Sequence, residues 1–140
     1  AGEIYGNVFV WTFRGRPMVI GSIYQWYSPM THGSHEFQSL ATEPLEGKRD
    51  GETGWIAKKS GIQWRPVPGQ FAVADSKSTR TRQLRTVSRR YQVQKTDRKG
   101  VSRELRLLTQ PLFRYGSEDS AVIDGSLQAF VRVPTLKCFC

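Results

Sequence analysis

Cysteine is nearly absent from this 140-residue chain. Two residues, Cys138 and Cys140, form a C-x-C at the very end. A disulfide-stapled scaffold is therefore excluded, and the redox compartment stays open. Two thiols cannot fill a four-ligand zinc site, so these read as incidental terminal thiols and no cofactor is called for. Histidine is equally scarce, with only His32 and His35. No apolar run approaches the ~20 residues that a spanning helix needs. No signal peptide is visible, and the opening "AGEIYGN" lacks an initiator Met. The expectation is a processed chain, a trimmed one or a fragment. The sequence has no G-x-S-x-G, no phosphate-binding loop and no G-x-G-x-x-G. It has no internal repeat and no low-complexity tract.

What is present is an ordinary apolar fraction and an uneven charge. Hydrophobic residues make up 38% and aromatics 11%. That is enough for a packed core, so a folded chain rather than a fully disordered one is expected. The length suits one domain spanning 1–140. The net charge is +9. Residues 75–106 hold eleven basic residues against three acids, which accounts for eight of those nine charges.

Residues 4–27 predict a hairpin. "IYGNVFVWTF" and "PMVIGSIYQWY" are rich in β-branched and aromatic residues. "RGRP" lies between them, with Gly15 available for a positive φ. Both faces look apolar, which predicts a central pair covered on both sides. "SPMTHGS" reads as a loop and "HEFQSLA" as a short strand. Residues 42–54 read as a loop with a turn at "RDG". Short extended pieces follow around Trp55 and Trp64. Most aromatics are expected in the core, with Trp55 and Trp64 the exposed exceptions.

From Asp75 the apolar period changes. Leu84, Val87 and Tyr91 form a narrow helical stripe, which predicts a basic helix over about 76–95. Asp75 or Ser76 caps it, and "TDRKG" ends it near Gly100. Strands are expected over 103–115, interrupted by Pro111, and over 126–133. A turn is expected at Asp124–Gly125. The last strand ends without an obvious partner, so a C-terminally truncated or altered domain is expected. The fold class is α+β: a mainly antiparallel sheet of five to seven strands with one basic helix packed on it.

Two places carry chemistry. His32, His35 and Glu36 invite a metal or acid–base reading, but "HGSHE" is not the H-E-x-x-H order of a zinc protease. On a regular strand His35 and Glu36 point to opposite faces and cannot hold one ion. A bulge at Ser34 or His35 restores the cluster. The second place is the helix, where Arg80, Arg82, Arg85, Arg89 and Arg90 suit phosphates or another anionic partner. No recognisable nucleic-acid motif accompanies them, and their bland role is pairing with acids such as Glu43, Glu46 or Asp50. Three functions follow as expectations. The first is a non-catalytic binding domain using the basic helix against an anionic macromolecule or surface. The second is a small metal-assisted enzyme near His32, His35 and Glu36. The third is nucleic-acid binding through residues 80–90.

"RGRPMVIGSIY", "SHEFQSLA", "RELRLLTQPLFRY" and "DGSLQAF" resemble recurring blocks in a group of uncharacterised bacterial proteins. The resemblance covers most of residues 2–130 and departs at "RVPTLKCFC". It implies a β-rich layout and a bacterial source, with a soluble protein of the cytoplasm or cell envelope, and assigns no activity.

Overall fold

A computed structural model describes residues 3–69, 72–116 and 122–132. The chain is α+β, built from antiparallel sheets and, among the described residues, one helix. Backbone contacts gather it into two compact units, residues 1–66 and 67–140.

The first unit begins with the expected hairpin. β1 (Ile4–Phe13) and β2 (Arg16–Trp26) pair antiparallel around Arg14 and Gly15. Both turn residues have positive φ, 47° and 76°. That is the twist-matched two-residue hairpin turn, and glycine makes its second position inexpensive. β3 (His32–Ser39) adds to the other side of β2. It starts earlier than the sequence suggests. Trp26 and Gln25 extend β2 far enough to pair His32 and Gly33, so the loop shrinks to residues 27–31. Backbone pairing here overrides the loop-like composition.

Gly21 sits mid-strand in β2 for a steric reason. A Cβ there would collide with the Phe37 ring lying over it. The glycine that disturbs the alternation of β2 is the seat of an aromatic side chain on β3.

Residues 42–54 form more structure than a loop. β4 (Leu45–Arg49) and β5 (Glu52–Ala57) make a second hairpin. Its turn is the foreseen one, with Asp50 and Gly51 at φ 53° and 84°. The segment after β5 folds back beside the end of β3. Gly61 N–H donates to the Ala41 carbonyl at 2.9 Å, and Ser39 and Ala41 are buried there.

The expected central position of the first hairpin is overturned. β2 is central, but β1 is an edge strand among the described residues. Its apolar side chains lie open rather than in a core: Tyr5 is 68% exposed and Phe13 62%. Trp64 is exposed as anticipated, whereas Trp55 is half-buried against Phe37, with ring centroids 5.7 Å apart.

In the second unit, α1 (Lys77–Ser88) is capped by Ser76, whose hydroxyl accepts the Thr79 N–H at 3.2 Å. The helix stops at Ser88 instead of continuing to about 95. Residues 93–96 form β6 (Val93–Thr96), which pairs with β7 (Ser102–Leu107). "TDRKG" is therefore a hairpin turn, not a helix end. The Asp97 carboxylate accepts the N–H groups of Lys99 and Val101, and Gly100 adopts φ 78°. An aspartate that closes a turn on its own backbone competes well against a helix that has exhausted its apolar stripe.

The two long strands expected next are each broken in two. Residues 103–115 give β7 and β8 (Phe113–Tyr115), separated around Pro111. Residues beyond 124 give β9 (Gly125–Leu127) and β10 (Phe130–Val131). Partnership survives the break. Leu108 N–H donates to the Ala129 carbonyl and Leu112 N–H to that of Leu127. The expected turn at Asp124–Gly125 is absent. Gly125 is a buried strand residue, and a Cβ on it would strike the Tyr115 ring. The unit thus contains a three-stranded sheet, β10–β7–β6, and a β8–β9 pair. Among the described residues ten strands stand where five to seven were anticipated, because several are short. The expected terminal thiols and the end of the last strand lie outside the described residues.

Candidate functional site

The β2–β3 register decides the fate of the histidine cluster. Ile23 pairs with His35 and Ser22 with Glu36, with no irregularity between them. His35 and Glu36 therefore emerge on opposite faces of the sheet, as strand alternation predicts. His32 and Glu36 share a face, but four strand positions separate them by about 13 Å. Each has its own neighbours. The His32 ring stacks on Trp26 at 5.6 Å, and its Nδ1 donates to the Met30 carbonyl at 3.1 Å. Glu36 accepts a long 3.4 Å hydrogen bond from the Tyr24 hydroxyl. Among the described residues no group of three His, Cys, Asp or Glu is placed to hold a metal ion.

His35 instead joins an aromatic row. Its ring lies 5.0 Å from Phe37, which meets Trp11 edge-on at 5.6 Å and Trp55 at 5.7 Å. This row floors a groove of about 840 Å³ between the β1–β3 sheet and the β4–β5 hairpin. Val19, Ile23 and Leu45 add to the apolar lining, while Glu43, Lys48 and Arg49 stand among its charged lining residues. The Glu43 carboxyl is held below its ordinary range, chiefly by a 2.8 Å hydrogen bond from the Thr42 hydroxyl. The groove was not legible in the sequence. Its walls come from strands whose alternation was visible and from a hairpin that read as a loop.

The basic segment divides into committed and uncommitted cations. Arg80 is committed. Its Nε donates to Asp124 at 3.2 Å, and its guanidinium also reaches the carbonyls of Ala74 and Asp75. Arg114 donates to the same carboxylate at 2.6 Å and to the Thr81 hydroxyl at 2.5 Å. Asp124 is only 10% exposed, Arg80 17% and Arg114 27%. This triad ties α1 to β8 and to the residue preceding β9. Burial by itself would raise the Asp124 carboxyl. The hydrogen bonds and charges of Arg114 and Arg80 outweigh it and hold the carboxyl below its ordinary range. Within this unit, Asp124 is the acid that answers Arg80 on the helix.

Two more arginines of the anticipated set spend donors on backbone oxygens. Arg85 donates to the Thr109 carbonyl at 2.9 Å, and Arg90 to those of Pro68 and Gly69. Arg82 makes only a 3.4 Å contact with Thr79, and Arg89 has no side-chain partner among the described residues; both are exposed.

The densest uncommitted charge lies beyond the helix. Lys95 and Arg103 are direct cross-strand partners in the β6–β7 hairpin. Arg98 and Lys99 occupy the turn between them. All four are exposed and form no ion pair among the described residues. The nearby acids do not answer them. Asp97 is engaged by turn N–H groups, and Glu104 points to the opposite face of the strand from Arg103. Directly opposed like charges destabilise a hairpin, so this tip carries an electrostatic cost. In the sequence these residues stand out only as charge, and Lys95 reads as part of the helix.

Compared with known proteins, the chain matches no family model, no curated protein and no solved structure.

Proposed function

We propose that the protein is a non-catalytic binding domain whose second unit engages an anionic macromolecule or surface. The supporting observation is the Lys95–Arg103 pair, opposed like charges flanking a turn that adds Arg98 and Lys99. A two-stranded ribbon with a cationic tip presents side chains to phosphates on both edges. Arg82 and Arg89 on α1 add to the surface, whereas Arg80 serves the fold through Asp124. The anion-binding centre therefore moves from the helix to the hairpin that follows it. Kinship with the bacterial group named above and a soluble setting in cytoplasm or envelope go with this reading. No helix among the described residues is long and apolar enough to cross a membrane.

A salt series tests it. The full chain is titrated with duplex DNA, single-stranded RNA and phosphatidylglycerol vesicles at rising ionic strength. Binding to at least one probe that weakens linearly in log–log form supports the proposal. Absence of salt-dependent binding to all three ends it. The second function, a metal-assisted enzyme at His32, His35 and Glu36, gains nothing from a register that spreads those residues over two faces. Metal content that is unchanged by His35→Ala would close it.

A further inference from the structure

The outer edge of β1 is the least protected feature of the first unit. Glu3 accepts the Tyr27 N–H through its carbonyl at 2.9 Å. Odd-numbered residues of β1 therefore turn their backbone groups toward β2 until the irregularity at Trp11–Thr12. Even-numbered residues, Ile4, Gly6, Val8 and Val10, turn theirs outward, where no strand pairs with them among the described residues. Edge strands are ordinarily blunted by a charge, a proline, a short length or a covering segment. β1 has ten residues, none charged and none proline. Both of its faces are apolar and open: Ile4, Val8, Phe9 and Trp11 are 42–58% exposed, and Tyr5 and Phe13 more so.

We propose that β1 pairs antiparallel with β1 of a second copy of this chain, joining two three-stranded sheets into one of six. Three observations favour a copy over another occupant. First, a strand without charge meets no repulsion from itself. Second, residues 1–66 carry seven basic and six acidic residues, so the pairing units are close to neutral. The excess charge resides in the other unit. Third, the edge is self-complementary: an antiparallel two-fold partner sets the outward N–H and C=O groups of Ile4, Gly6, Val8 and Val10 against the same groups of the other copy. A two-fold axis perpendicular to the sheet keeps like faces together, so residue i meets a partner of the same parity. The aromatic face of one copy then continues into that of the other.

The oligomeric state of the chain against its concentration sets the experiment. Sedimentation velocity on the full chain is run from about 1 to about 100 µM, a hundredfold span that covers about 2.7 kcal/mol of association free energy. A monomer-to-dimer shift is expected. Val8→Lys places a charge at the centre of the edge, and Val8→Pro removes one outward N–H. Each is expected to raise the dissociation constant at least tenfold, with far-UV circular dichroism confirming retained strand. Amide exchange on the unmodified chain provides a mutation-free reading. The Gly6, Val8 and Val10 amides are expected to exchange slowly at high concentration and rapidly at low. A monomer throughout the range overturns the proposal. So does a dimer whose affinity ignores both folded variants, or exchange at these three amides that does not change with concentration.

Discussion

The two units spend their side chains in opposite ways. In residues 1–66 the aromatic residues are plentiful and few are covered; strand pairing, rather than a buried core, holds Phe9, Trp11 and Phe13 in place. In residues 67–140 the arginines are plentiful, and one carboxylate organises two of them. A sheet can tolerate exposed aromatics because its backbone bonds are satisfied between strands. A half-buried guanidinium cannot tolerate isolation, so the second unit is built around Asp124. What each unit leaves unpaired then differs in kind. The first leaves a strand edge and an apolar groove, and the second leaves positive charge.

The largest expected effect breaks the second unit at that carboxylate. Asp124→Asn removes the shared acceptor charge of Arg80 and Arg114 and is expected to destabilise by about 3 kcal/mol, read as a fall in the urea midpoint. The same residue gives the pH dependence a sign. Its carboxyl titrates lower in the fold than in the unfolded chain. Its contribution is therefore complete above the unfolded value near pH ~4 and is lost as pH falls through the lower folded value. Acid unfolding curves of the Asp124→Asn variant are expected to be flatter than those of the parent over that window.

Glycine substitutions test the steric seats next. Gly21→Val forces the Phe37 ring off β2 in the first unit, and Gly125→Val does the same to Tyr115 in the second. Each is expected to cost about 1–3 kcal/mol in chemical denaturation. Removing the helix cap with Ser76→Ala is a smaller loss, about 1 kcal/mol. The smallest effect has the opposite sign. Arg103→Glu turns a repulsive cross-strand pair with Lys95 into an attractive one, stabilising the hairpin by about 0.2–1 kcal/mol while weakening anion binding. A variant that gains stability and loses binding would separate the functional cost from a structural one.

Local signals account for much of the fold. The Arg14–Gly15 and Asp50–Gly51 turns were readable because positive φ favours a short list of residues. The separation of His35 from Glu36 followed from alternation alone. Other features depended on distant partners. Gly21 and Gly125 look like disruptions until Phe37 and Tyr115 are placed over them. The helix overran because Tyr91 continues its apolar spacing, while Val93 answers to Leu105 across a hairpin. Asp124 resembles half of a turn, and its true role needs Arg80, forty-four residues away. The groove, likewise, required knowing that Trp55 meets Phe37.

The proposed anion contact lies at the cationic hairpin tip rather than on the helix. The direct measurement is the slope of log affinity against log salt for the best-binding nucleic-acid probe, compared between the parent and Lys95→Gln/Arg103→Gln. Loss of two phosphate contacts predicts a slope shallower by about 1.8 for duplex DNA or about 1.4 for a single strand. An unchanged slope, with the same loss appearing instead on Arg82→Gln/Arg89→Gln, would place the contact on the helix and overturn the hairpin tip as the anion site.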